Sequence, residues 1–262
     1  MAYDREKYQM LQRIAEQLQL YKPITSFDEE LSEKKYFDEI GSDLAIMESV
    51  AVKNEECWRR RRAAVLICLF EGHKGELRVI LTKRSMKLSS YPGDVALPGG
   101  KMEERDADDS ATALREAMEE IGLDPQLVRV VANLEPFNSL NQLSVVPVIG
   151  LLSNIEDYKP VPNPDEVDAI FDVPLEMFLK GENYRVKERE WKGCKYILHH
   201  FDFETSKQGV FPICGLTASI LIRAASVIFQ RSPCFNQHHH HLPDFQQLQR
   251  ALIEQQLSII HH

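Results

Sequence analysis

Leu97-Pro98-Gly99-Gly100-Lys101, then Asp106, then Leu114-Arg115-Glu116-Ala117-Met118-Glu119-Glu120-Ile121-Gly122-Leu123: the reading of this chain turns on these residues. Glu116, Glu119 and Glu120 stand at i, i+3 and i+4, so a helix over about Ser110 to Ile121 sets three carboxylates on one face within one turn. Like charges that close repel, and the cluster costs stability unless a cation binds it. Hard oxygen donors on neighbouring turns suit Mg²⁺ or Mn²⁺, which keep several waters and accept substrate phosphates as further ligands. Arg115 precedes Glu119 by four residues and can hold that carboxylate in place. Pro98-Gly99-Gly100 lets the backbone turn sharply and approach a ligand, and the Gly100 carbonyl is placed to complete the metal shell. Gly122 ends the helix as a C′ glycine. Asp106 lies in the loop rather than on the triad face and is placed behind the ligands.

Outward from this stretch the texture alternates. Upstream, Ala63 to Phe70 is a continuous apolar run, Glu71-Gly72-His73-Lys74-Gly75 is turn chemistry, and Leu77 to Leu81 is apolar again, which predicts a hairpin. Downstream, strands are predicted over Leu127–Leu134, Leu143–Leu151, Val167–Val173 and Tyr196–Phe203, and a buried helix over Gly215–Phe229. Strands and helices interleave without a regular βαβ repeat, so a mixed-sheet α/β (α+β) domain is expected over 59–232. Residues 1–58 read as an appended helical segment. Met10, Leu11, Ile14 and Leu18 make one stripe ended by Lys22-Pro23, and Phe37, Ile40, Leu44 and Met47 make another. These stripes are expected to pack on the domain or to form a homodimer contact. Residues 233–262, with His238–His241 and a Gln-rich run, read as an exposed tail rather than a metal site.

The chain has 262 residues, 31 basic against 40 acidic, and a formal charge of −9. That balance argues against nucleic-acid or anionic-membrane binding, and no apolar run reaches the ~18 residues of a membrane span. Local charge matters more than the sum: residues 101–124 hold nine acids and three bases, whereas 57–90 hold nine bases and two acids. A basic stretch followed by an acidic helix that a metal inverts suits a diphosphate substrate. Met1 to Glu6 is followed by no apolar core, the end Ser-Ile-Ile-His-His is not a peroxisomal tail, and Cys57, Cys68, Cys194, Cys214 and Cys234 form no CxxC pair. A reduced, cytoplasmic chain is the simplest expectation, with organellar import left open. Ser85 and Thr82 have no base in evident partnership, which rejects a serine hydrolase. His199-His200 is expected to be paired rather than ligating, and Arg59–Arg62 to be a solvated basic run.

The order of these residues resembles the Nudix box, G-x5-E-x7-R-E-U-x-E-E-x-G-U. It departs at Asp106, which replaces the first Glu and is separated from Arg115 by eight residues instead of seven. That extra residue resembles the coenzyme A diphosphatase branch, whose plant-type members are the most similar. The upstream signature of that branch, L-L-T-x-R-S-x3-R-x3-G-x3-F-P-G-G, is matched by Leu81-Thr82-Lys83-Arg84-Ser85, Gly93 and Pro98-Gly99-Gly100. Ile80, Ser89 and Leu97 depart from it. The resemblance covers about Ala63 to Arg231. It implies a Nudix-type α/β/α sandwich around a mixed sheet, with metal ions held by Glu116, Glu119 and Glu120. The implied reaction is hydrolysis of the pyrophosphate of coenzyme A or acyl-coenzyme A to 4′-phosphopantetheine and 3′,5′-ADP. Arg84 is the expected phosphate contact, with Glu166 a weaker candidate for an extra ligand or base. Ser89, in place of the signature's second Arg, keeps other substrates in view: ADP-ribose, NADH or another dinucleotide, or an oxidised nucleotide. A non-catalytic nucleotide-binding module is the reading from another class.

Overall fold

The apolar run 63–70 is uninterrupted because both faces of its strand are covered. The computed structural model describes residues 2–23, 61–140, 143–205, 209–237 and 242–249. In chain order these form α1 (Ala2–Gln19), β1 (Arg62–Glu71), β2 (Leu77–Arg84), β3 (Val95–Ala96), β4 (Gly99–Lys101), α2 (Asp109–Ile121) and β5 (Val128–Asn133). There follow β6 (Phe137–Asn138), β7 (Ser144–Leu152), β8 (Val167–Pro174), β9 (Tyr184–Trp191), β10 (Cys194–Thr205), β11 (Gly209–Cys214) and α3 (Gly215–Phe229). The main sheet runs β3-β2-β1-β7-β5, with β4 beside β1, β6 beside β7 and β8 beside β2. It is mixed: β1 and β7 are parallel, and the remaining pairs are antiparallel. β9, β10 and β11 make a second, antiparallel sheet.

Alternation along β1 sends Ala64, Leu66, Cys68 and Phe70 to one side, against Ala113, Ala117 and Ile121 of α2. Ala63, Ile67 and Leu69 go to the other side, into a cluster with Ala218, Leu221 and Ala225 of α3. Helices on both faces of a mixed sheet are the expected α/β/α sandwich. Each fully buried Leu or Ile in these layers contributes roughly 1.5–3 kcal/mol. The second sheet turns Phe201, Phe211 and Ile213 into the α3-side cluster, where Phe211 stacks on Phe171 at 4.0 Å and Phe201 meets Phe178 edge-on at 5.0 Å.

The hairpin, α2, α3 and the strands predicted downstream lie where the sequence places them, within one or two residues at most ends. Three features differ. Strand β9 escapes the hydrophobic pattern because most of its residues are exposed and Glu188 and Glu190 occupy its inward register. Strand β11 escapes because Pro212 interrupts it. The N-terminal helix, by contrast, packs on the domain, one of the two expected outcomes: Leu11, Ile14, Ala15 and Leu18 are buried in the α3-side cluster. Gln17 Nε2 also donates to the Val227 and Ile228 carbonyls at 2.9 and 3.3 Å, satisfying acceptors at the end of α3. Residues 242–249 lie along β10, with Ile197 N–H donating to the Pro243 carbonyl at 2.9 Å, rather than standing exposed. The second apolar stripe (37–47), Arg59, Arg60 and His238–His241 lie outside the described residues.

Candidate active site

Helix α2 carries the acidic face, and its ends are fixed by local chemistry. The Asp108 side chain accepts from Ala111 N–H at 2.8 Å, an N-cap that starts the helix at Asp109, one residue before the predicted Ser110. Gly122 N–H returns to the Met118 carbonyl at 3.0 Å, closing the far end as predicted. At its first turn Asp109 takes both Arg62 nitrogens at 2.6 and 2.7 Å. Arg62 of the basic run is therefore a part-buried clamp between β1 and α2, not a free cation.

The glycines do two different things. Gly99 has φ +155°, and a side chain there would meet the Ala64 carbonyl oxygen at 2.3 Å and Val65 Cα at 2.6 Å, so β4 seats against β1 only without one. A side chain on Gly100 would instead meet the Glu116 carboxylate at 2.4 Å. Gly100 thus leaves the space into which Glu116 reaches. Gly99 N–H donates to Glu120 Oε2 at 3.2 Å.

The three carboxylates are not equivalent. Glu120 is only 6% exposed, and burial pushes its carboxyl up to about 8; negative Glu116 and Glu166 add to the rise, against the Gly99 N–H and the Arg84 charge. Glu116 is raised as well, by burial and by Glu119 and Glu166, against Arg115. Glu119, with its side chain 46% exposed, sits on the rim between Arg115 at 3.1 Å and Arg105 at 3.1 Å. Arg115 does reach Glu119, but its main partner is Asp106. Its Nε and Nη2 donate to the two Asp106 oxygens at 2.9 Å each, its Nη1 reaches Glu116 at 2.9 Å, and its Nη2 also reaches the Lys101 carbonyl at 3.0 Å. Asp106 is 4% exposed, and also accepts from Glu103 N–H at 2.9 Å and Thr112 Oγ1 at 3.0 Å. The Arg115 guanidinium above all holds the Asp106 carboxyl down to about 2.

Arg84 ends β2 near the acidic face. Among the described residues its Nε is buried without a hydrogen-bond partner, and its Nη2 makes a long 3.4 Å bond to the Ser90 carbonyl. Its charge is felt by Glu120. Glu166 follows a loop tied to the end of α2, where Asn163 N–H donates to the Glu120 carbonyl at 2.9 Å, and its own carbonyl accepts from Ser85 N–H at 2.8 Å. Ser85 and Thr82 are buried with only backbone partners. His199 bonds to the Tyr184 hydroxyl at 3.0 Å, and His200 lies between Arg185 and Asp202, so both are paired as expected. Cys68, Cys194, Cys214 and Cys234 are free thiols.

Among the described residues no three His, Cys, Asp or Glu side chains converge into a ready-made ion shell. The arginine network explains this, because Arg115 draws Glu116 and Glu119 towards itself. What the cleft does offer suits a hard divalent cation. Glu120 is a carboxylate kept out of water with no arginine contact, Glu116 and Glu166 add to the same negative field, and Gly100 leaves a cradle beside Glu116.

A buried acidic helix face set against a glycine turn, with Arg84 near it, suits an enzyme that handles phosphates. The NUDIX domain profile matches residues 60–195, and the chain belongs to the Nudix family. It is 59% identical over 196 residues to Nudix hydrolase 15, mitochondrial, of Arabidopsis thaliana, covering 74% of this chain and 68% of that one. It is 52% identical to Nudix hydrolase 22, chloroplastic, of the same plant, covering 85% and 74%. To the peroxisomal coenzyme A diphosphatase NUDT7 of Mus musculus it is 41% identical over 162 residues, covering 62% of this chain and 68% of that one. The chain is accordingly a hydrolase of pyrophosphate bonds, of a family that generally needs divalent metal ions. No helix among the described residues is long and apolar enough to cross a membrane.

Proposed function

We propose that this chain hydrolyses the pyrophosphate of coenzyme A or acyl-coenzyme A, with Mg²⁺ or Mn²⁺, to 4′-phosphopantetheine and 3′,5′-ADP. The observation that carries the reading is the opposition of Glu116 and Glu120, backed by Gly99-Gly100, to the unpaired Arg84 Nε across the cleft. The substrate rests on the 80–100 signature, which the site's own loop carries, and on the mouse relative's name.

Glu116 and Glu120 would hold the cation, with Glu119 at the rim and the Gly100 carbonyl as an added donor. The bound cation supplies charge neutralisation at the diphosphate and a lowered pKa for a coordinated water. Arg84 grips phosphate oxygens through the nitrogen that now lacks a partner. Arg115, anchored on Asp106, orients Glu116 and Glu119 without touching substrate. Glu166, half-exposed on the loop across the cleft, accepts the proton of the attacking water. Binding needs Glu120 ionised, so the cation must displace its proton.

Ser89, where the signature has its second Arg, favours ADP-ribose or NADH as the second reading. A screen of coenzyme A, acyl-coenzyme A, NADH and ADP-ribose in Mg²⁺ and Mn²⁺, with products identified, decides between them. Coenzyme A must give the highest kcat/KM, and saturable binding without any product would show a non-catalytic module instead. Cytoplasmic action is part of this proposal. The mitochondrial and chloroplastic relatives favour an organelle as the alternative, which a fluorescent fusion resolves.

A further inference from the structure

The outer face of the second sheet is the least explained surface near the cleft. Side chains alternate along β9, and its register with β10 pairs Tyr184 with Phe201 on the core side. The intervening residues pair as Arg185 with His200, Lys187 with Leu198 and Arg189 with Tyr196, so three cations stand in a row on the opposite face. Arg185 is committed, donating to Asp202 at 3.0 Å and to His200 Nε2 at 2.5 Å. Among the described residues Lys187 and Arg189 have no carboxylate within ion-pair distance.

His200 is 3% exposed on this face. Its Nε2 lies between the Arg185 guanidinium at 2.5 Å, a donor, and Asp202 Oδ1 at 3.0 Å, an acceptor. Nδ1 is buried without any partner. Beside the row, Phe245 packs against Trp191 at 5.4 Å and Tyr196 at 5.1 Å, giving an aromatic wall next to unmatched positive charge.

This face adjoins the catalytic loop. Strand β11 lies against β3, Thr217 Oγ1 donates to the Val95 carbonyl at 3.1 Å, and Asp94, just before β3, accepts from Arg84 N–H at 2.9 Å. Cys214, at the end of β11, pairs with His200 on the face of the row, and the charges of Lys187, Arg189 and Asp94 all act on its thiol, so the row and the loop that carries Arg84 share one neighbourhood. Asp202 and Glu204 share the His200 face of β10, and Asp202 is neutralised by Arg185.

We infer that Lys187 and Arg189, beside the Tyr196–Phe245 wall, form a subsite for a phosphomonoester carried by the nucleoside half of the substrate. The assignment rests on the coenzyme A reading and deepens it: it selects nucleoside diphosphate derivatives that bear an extra phosphate over those that lack one. It also supplies the cations that Ser89 does not.

The test is the ratio of kcat/KM for coenzyme A to that for 3′-dephospho-coenzyme A, two substrates that differ only in that phosphate. The wild-type chain should show a ratio of at least tenfold. The double variant Lys187→Ala/Arg189→Ala should bring it close to one, and the charge-keeping Lys187→Arg/Arg189→Lys should retain it. Equal losses on both substrates, or a ratio that the alanine pair leaves alone, overturns the subsite. A wild-type chain that cleaves both substrates equally overturns the subsite while leaving the coenzyme A reading standing. One that cleaves ADP-ribose or NADH but neither coenzyme overturns both.

Discussion

Gly100→Ala separates the chemistry of this site from its fold. A Cβ at position 100 lands 2.4 Å from the Glu116 carboxylate, where ordinary contact begins near 3.4 Å, so about 1 Å of displacement is required. Two things can give way, the backbone of β4 or the end of a glutamate side chain, and the side chain is the softer. Glu116 therefore swings out of its cradle while β4 keeps its pairing to β1. A 1 Å misplacement of a positioned group costs about 10²-fold in rate, or about 2.7 kcal/mol of barrier. Steady-state kinetics on coenzyme A across a Mg²⁺ titration should show kcat down by about that factor and the metal requirement shifted to higher concentration. A thermal melt should move by only a few degrees. Gly99→Ala is the contrast: with φ +155° and a backbone carbonyl at 2.3 Å, nothing soft can move, and the protein should lose its fold rather than its rate. A folded Gly100→Ala chain with wild-type kcat and metal dependence would refute the placement of Glu116 at the reacting centre.

Glu120→Gln should lower kcat by about 10³-fold and leave the melting temperature equal or higher, because burial already disfavours a charge at this position; near-normal turnover would remove Glu120 from the site. Arg84→Ala should cost about 1.5–3 kcal/mol in kcat/KM as a charge-assisted phosphate contact, and unaltered kinetics would dismiss that contact. Asp106→Asn tests the arginine anchor through acid stability. The folded carboxyl is depressed from 3.8 to about 2, so its contribution of about 2 kcal/mol is complete above pH 4 and lost as pH falls towards 2; urea melts at pH 3 and 6 should show that loss in wild type and not in the variant. Leu18→Ala should destabilise by about 2–5 kcal/mol while the folded fraction turns over normally, since α1 lies on the α3 side of the sheet; a folded but inactive variant would contradict this.

What could be read from the residues follows from how local each signal is. Helix α2 was legible because its three acids and its terminal Gly122 sit within one short segment, and β1 because a strand covered on both faces needs no alternation to announce it. What covers α1 was not legible: an amphipathic stripe states that something covers it, not what, and its partners β1, β5 and α3 lie from about fifty to two hundred residues away. Strand β9 was hidden because its inward side carries Glu188 and Glu190 instead of apolar residues. Within the site, the spacing put Glu116, Glu119 and Glu120 on one face but could not rank their exposure. That depends on Gly99-Gly100 closing over one edge of the helix while Arg105 and solvent meet the other.

The departure of the box at Asp106 illustrates what a motif constrains. Aspartate is one methylene shorter than the glutamate it replaces, and the loop to Arg115 is one residue longer. The two changes act together: Asp106 still presents both oxygens to the guanidinium at 2.9 Å and stays buried beneath Thr112. The geometry preserved is therefore that of the arginine, not of the acid. Arg115 left unanchored would close fully on Glu116 and Glu119 and neutralise the charge a cation needs. Held by Asp106 and the Lys101 carbonyl, it touches those two with one nitrogen and leaves Glu120 alone. The site thereby keeps one buried carboxylate uncompensated, and that residual demand for positive charge, more than the count of acids on the helix, makes α2 a cation-binding face instead of a salt-bridged one.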